Sequence, residues 1–222
     1  MLQKKIFMNQ YYMKTTKAII LISGNGSNLL NIIKNIDSGF IKMDIFMVIS
    51  NNPKAKGLDI AKSRNIPVLS IDTNKAFDKI LLEIIDSNAI TLLILAGFMK
   101  ILPGSLTDKY DGMIINIHPS LLPKHKGLNT HQKVMESKDS FHGASVHYVT
   151  SRLDDGPIII QGKYEVDKYD EDILKKKVHK IEHQIFPIAI KWFVEGNINK
   201  LEDKFLFNDE VLECPIEHIS NH

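Results

Sequence analysis

Residues 17–23, KAIILIS, are an apolar run rich in β-branched side chains and without alternation, the pattern of a strand buried on both faces. DIFMVIS (44–50), PVLSI (67–71), TLLILAG (91–97) and GMIINIH (112–118) repeat it. Between these runs the pattern changes period. Residues 27–36 read as a helix, residues 55–65 place Leu58 and Ala61 three apart, and KAFDKILLEIIDSN (75–88) puts Phe77, Leu81, Ile84 and Ile85 on one side. Asn-Pro and Gly in NNPKAKG mark a turn after the second run. Strand and helix alternating at short intervals predict βαβ units, hence a parallel sheet covered on both faces.

The second half differs. GASVHYV (143–149) alternates and suits an antiparallel or mixed strand, and GPIIIQGKYEV (156–166) follows the turn LDDG. From about Asp170 to Glu195, Leu174, Val178, Ile181, Ile185, Ile188 and Trp192 recur at steps of three and four, a long helix that Pro187 is expected to kink. The expected fold class is α/β: a Rossmann-like, mostly parallel sheet with helices on both faces and mixed strands in the C-terminal half. Residues 17–200 read as a single domain, 1–16 as a disordered extension in which Met8 or Met13 offers an alternative start, and 201–222 as a surface tail.

Composition narrows the classes. The chain has 222 residues, 44% hydrophobic and 24% charged, ordinary values for a globular protein. A net charge of +2 and the lack of a dense basic stripe argue against a nucleic-acid partner. One cysteine, Cys214, permits no intrachain disulfide and no cysteine-based metal site. No apolar run approaches the ~20 residues of a membrane span. The basic N-terminal stretch has no sustained apolar segment and makes a poor signal peptide, so a cytoplasmic enzyme is expected.

In parallel sheets ligands bind beyond the carboxyl ends of the strands. Three such ends carry candidate chemistry. The first, ISGNGSNLL (22–30), matches the dinucleotide fingerprint at Gly24 and Gly26 but has Leu29 at the third glycine position. Ser50-Asn51-Asn52 also stands where an acid is expected. Those two failures argue against NAD. What remains is a glycine turn with Ser27 and Asn28 at a helix start, either a seat for a phosphate or a capped helix end.

The second end lies in NIHPSLLPKHKG. Asn116 and His118 are two apart, so they share one face of the strand, and Pro119 and Pro123 stiffen the loop after them. They converge on a ligand at the sheet edge, or they satisfy loop backbone groups. Asp154, in TSRLDDGPIII, is a turn-former, or an acid that reaches His118, holds the ring and favours its charged form. The other histidines (125, 131, 142 and 147) show no metal-site spacing, and no metal is expected.

Taken in order, ISGNGSNL, LAGFMKIL, INIHPSLLPKHKG, GASVHYV, LDDGPIIIQ and EHQIFPIAI resemble the phosphoribosylglycinamide formyltransferases, folate-dependent enzymes of purine biosynthesis, from about Lys17 to Gly196. The middle motifs also fit methionyl-tRNA formyltransferase and formyltetrahydrofolate deformylase, whose further domains are not expected in 222 residues; SGNGSN points to the phosphoribosylglycinamide formyltransferases. The resemblance implies transfer of the formyl group of 10-formyltetrahydrofolate to the amine of 5'-phosphoribosylglycinamide, with Asn116, His118 and Asp154 catalytic. It implies a phosphate on Gly26, Ser27 and Asn28, a ribose hydroxyl on Glu182, and His179 near the phosphate. The folate would lie along Met99, Lys100, Ile101 and Leu102, along Thr150, Ser151, Arg152, Leu153 and Asp154, and close to Asn116. Lys100 stands where Arg is common in that family, Asn74 stands where many members have a folate-contacting Arg, and His125-Lys126 and Asn129 vary the loop after Pro123. Small-molecule substrates, a monomer or weak homodimer and no metal complete the expectation.

Overall fold

A computed structural model describes residues 15–71 and 77–219. Position 74 and the extension before residue 15 lie outside them. The described elements are β1 (Thr16–Ile22), α1 (Ser27–Asp37), β2 (Met43–Ser50), α2 (Gly57–Ser63), β3 (Val68–Ser70), α3 (Phe77–Asn88), β4 (Leu92–Leu95), α4 (Gly104–Lys109), β5 (Ile114–His118), α5 (Thr130–Ser137), β6 (Phe141–Tyr148), β7 (Ile158–Glu165), α6 (Glu171–Val194), β8 (Ile198–Leu201), β9 (Lys204–Phe207), β10 (Glu210–Leu212) and β11 (Ile216–Ile219).

Eight strands form one sheet in the order β11-β7-β6-β5-β4-β1-β2-β3, and β8, β9 and β10 form a second, antiparallel one. Pairing is parallel from β5 through β4, β1 and β2 to β3, and antiparallel on both sides of β6. The mostly parallel sheet with mixed strands in the second half is therefore as expected.

The apolar runs are continuous because each strand feeds two cores. Ala18, Ile20 and Ile22 of β1 pack with α1, α2 and α6, while Ile19 and Leu21 pack with α3 and α4. On β4, Leu92 and Ile94 face the first layer, Leu93 and Leu95 the second. Side chains alternate along a strand, so a polar residue on either face would be buried. Each fully buried Ile or Leu contributes about 1.5–3 kcal/mol, more than a helix cap of ~1 kcal/mol, so this pattern dominates the choice of fold.

One expectation changes. The chain after residue 200, expected as a surface tail, is built into the sheets: β9 and β10 extend the small sheet, Phe205 is buried, and β11 adds a parallel edge strand to β7. The short helices α4 and α5 went unforeseen. The long helix expected from about 170 to 195 is α6, with 24 residues and with Pro187 buried inside it.

Candidate active site

The strand order reverses between β1 and β4: the chain proceeds outward from β1 to β2 and β3, then returns to place β4 on the other side. Such a switch point opens a crevice at the carboxyl ends. The turn after β1 and the segment after β4 flank it, and Ser23 joins them. Its N–H donates to the Gly97 carbonyl (3.1 Å), its hydroxyl accepts from Met99 N–H (2.8 Å) and donates to Asn51 Oδ1 (2.6 Å).

Gly26 is the N-cap of α1 and adopts a left-handed conformation (φ +77°), and the helix has no side-chain cap bond. Neither Ser27 nor Asn28 caps the helix. Both side chains cross to α6 instead: Ser27 Oγ lies 2.7 Å from His179 Nε2, and Asn28 Nδ2 donates to Glu182 Oε2 at 3.1 Å. The helix's first N–H groups have no intrahelical acceptor and stay available to an anion. A Cβ on Gly26 would lie 2.5 Å from Gly57 Cα, backbone against backbone. Gly26→Ala is accordingly expected to cost about 1–3 kcal/mol of stability and to weaken anion binding at this turn, read by urea unfolding and by titration with inorganic phosphate.

His179 and His183 lie one turn apart on α6 with ring centroids 4.1 Å apart. Burial, then His179 and Lys34, push the His183 pKa down to about 4. Burial also lowers that of His179. Burial raises the Glu182 carboxyl to about 7, against a smaller lowering by the Asn28 hydrogen bond. In the unfolded chain that carboxyl releases its proton near 4.5. The folded state binds more protons between those values, so its contribution is full below about 4.5 and declines as pH rises to about 7. The loss is roughly 3 kcal/mol. Glu182→Gln should remove this decline: thermal melts of variant and wild type should nearly coincide at pH 5, with the variant several degrees higher at pH 8.

Asn116 and His118 share the parity of Ile114, which packs with α3 and α4, so both point to that face at the end of β5. Antiparallel β6 pairs Asn116 with His147, a residue considered from sequence only as a metal ligand. Nδ1 of His147 lies 2.8 Å from the Tyr148 carbonyl. A carbonyl only accepts, so Nδ1 carries the proton and Nε2 offers a lone pair. Burial holds the His147 pKa down at about 4, so the ring is neutral at pH 7. Asn116 Nδ2 donates to that Nε2 at 3.1 Å. This fixes the amide orientation and leaves the second Nδ2–H free.

His118 is buried. Its Nε2 donates to the His125 carbonyl (3.0 Å) and its Nδ1 faces Asp154 Oδ2 (3.5 Å). Both ring nitrogens thus face oxygen atoms. Asp154 adopts φ +46°, a conformation Asp tolerates better than most residues. Its Oδ2 accepts the Gly127 N–H at 2.9 Å and its Oδ1 lies 3.6 Å from His147 Nε2. The structure brings Asn116, His118 and Asp154 together.

Of the strip after β4, Met99 and Ile101 are 66% and 65% exposed, whereas Leu102 is buried in the core. Lys100 turns away to pair with Asp78 (3.0 Å) over the Phe77 ring. Leu128 and Leu153, on the two neighbouring loops, are also exposed. Thr150 Oγ1 closes a turn onto Arg152, and Ser151 lies exposed within it. Among the described residues no group of three or more His, Cys, Asp or Glu is placed to hold a metal, and no helix is long and apolar enough to cross a membrane.

The profile of the formyl transferase family matches residues 16–190. The chain is 42% identical over 191 residues to phosphoribosylglycinamide formyltransferase of Escherichia coli strain K12, covering 83% of this chain and 90% of that one. It is 40% identical over 201 residues to the Haemophilus influenzae enzyme of the same name, covering 87% and 93%. Its fold superposes on the solved phosphoribosylglycinamide formyltransferase of Coxiella burnetii with a TM-score of 0.85 at 37% identity, covering 92% and 99%.

Proposed function

Since the chain belongs to the formyl transferase family, and within it to the phosphoribosylglycinamide formyltransferases, we propose that Asn116, His118 and Asp154 catalyse its reaction by direct attack, with no covalent enzyme intermediate. The enzyme transfers the formyl group of formyltetrahydrofolate to the amine of 5'-phosphoribosylglycinamide, in purine biosynthesis. The observation that supports the assignment of residues is the contact network running from His147 through Asn116 and from His118 to Asp154 at the end of β5.

The substrate phosphate sits on Gly26, Ser27 and Asn28, beside His179, with a ribose hydroxyl on Glu182. The folate, as the 10-formyl derivative, lies along Met99, the backbone of Lys100, Ile101 and Leu102, and the segment Thr150, Ser151, Arg152, Leu153 and Asp154. The neutral amine attacks the formyl carbon. A C–N bond forms, and the carbonyl oxygen becomes an oxyanion that takes the free Nδ2–H of Asn116 and is stabilised by the nearby positive charge of a protonated His118. Asp154 pairs with that imidazolium and carries the proton from the attacking nitrogen, through a water, to folate N10, whose bond to carbon then breaks. Seating both substrates at one switch point supplies much of the remaining rate. The reading includes no metal, a cytoplasmic location and a monomer or weak homodimer.

The test is a spectroscopic assay with 10-formyl-5,8-dideazafolate and glycinamide ribonucleotide. Formyl transfer that requires the ribonucleotide supports the proposal; release of formate in its absence at the same rate would replace it with simple deformylation.

A further inference from the structure

Two residues of the site's loops have no part in the reaction above. Lys126 precedes Gly127, whose N–H holds Asp154; Asp155 follows Asp154. Lys126 Nζ donates to Asp155 Oδ1, in a charge-assisted contact that joins the loop after β5 to the loop between β6 and β7. Each side chain is about one-third exposed. The same two loops therefore meet in two adjacent rungs: the Gly127 N–H on Asp154 inside, the ion pair outside. We infer that the Lys126–Asp155 pair is a positioning latch that keeps the Asp154 carboxylate on the His118 ring during formyl transfer.

The geometry supports a latch rather than an incidental surface pair in three ways. First, the Lys126 end is itself held: its carbonyl accepts from Lys133 Nζ at 2.7 Å, tying the loop to α5. His125, one residue earlier, is tied to Asp139 at 2.6 Å while its carbonyl receives His118 Nε2. Second, Asp155 is drawn to this contact. The hydrogen bond and charge of Lys126 are the largest causes that hold its carboxyl below the ordinary range, with Arg152, 3.5 Å away, a minor one. Third, the inner rung is a single hydrogen bond from the Gly127 backbone N–H to the Asp154 carboxylate, between left-handed residues at φ +76° and φ +46°. Neither Lys126 nor Asp155 is needed to touch substrate, so each acts through Asp154.

The inference rests on the proposed roles of His118 and Asp154. It predicts a pattern that a structural role alone would not give. Lys126→Glu puts two like charges together and opens the rungs. We expect kcat to fall by about 5–30-fold, with the KM for the ribonucleotide within twofold, because the phosphate turn is on the other side of the crevice. Lys126→Glu combined with Asp155→Lys restores the pair with its sign reversed and should recover kcat to within about threefold of wild type. Wild-type kcat should also fall as salt rises from 50 mM to 500 mM, and the Lys126→Glu variant should lose that dependence.

Steady-state kinetics on wild type, both single reversals and the double reversal, with thermal melts as a control for folding, decide it. Single reversals that keep kcat within twofold of wild type overturn the latch, as does a double reversal no better than the worse single one. If wild type itself shows no formyl transfer, the proposed function fails instead, and the two failures are told apart.

Discussion

Asn116→Ala should lower kcat by about 10²–10³ while both KM values stay within a few-fold of wild type. The side chain divides its two N–H groups: one goes to His147 Nε2, and the other, in the proposed mechanism, meets the substrate oxygen. Attack turns that oxygen from a neutral carbonyl into an anion, and the donor is worth most at that moment, which is why the loss falls on kcat. The substitution also leaves a buried imidazole nitrogen without its donor, at a cost of about 1–3 kcal/mol in stability. Single-turnover transfer rates and thermal melts on the same preparation separate the two effects. A large rise in KM with kcat preserved would make Asn116 a binding residue.

The second large effect is expected at Asp154. Asparagine keeps the volume, tolerates the left-handed backbone and can still accept the Gly127 N–H through its carbonyl oxygen. Asp154→Asn therefore removes a charge and a proton acceptor with little else. We expect kcat to drop by about 10²–10⁴, the scale of a positioned acid-base group, with both substrates still bound. The pH dependence of kcat should change shape as well, because His118 Nδ1 would then face a neutral amide. Near-normal turnover in this variant, with its pH profile unchanged, would remove Asp154 from the proton path.

Much of this was legible in the chain, and the remainder fails for identifiable reasons. The strands β1, β2, β4 and β5 announced themselves because a sheet covered on both faces demands apolar side chains at every position. Helix α4, GSLTDK, spans fewer than two turns and gives no periodic signal, and α5, THQKVMES, is entered from a left-handed Asn129 rather than a capping side chain. The strands from residue 198 on are three or four residues long, too short for a period to stand out, which resembles a loop until Phe205 and the pairing of β11 are seen. The Asn116–His118 pair followed from strand parity alone. Its partner His147 did not, since only the antiparallel register of β6 puts it opposite Asn116. Ser27 and Asn28 read either as a phosphate seat or as caps; their side-chain hydrogen bonds go to residues more than 150 positions away, a distance no local rule covers.

β1 and β4 are hydrogen-bonded neighbours, and each gives alternate side chains to both cores. The phosphate seat proposed above continues directly from one strand and the proposed folate-binding strip from the other, so both grow out of a single slab clamped from above and below. Neither seat can loosen without disturbing the layer beneath its neighbour. Heat should therefore rob the enzyme of both ligands together, and a methyl group lost from either core would be felt at two ends of the same reaction.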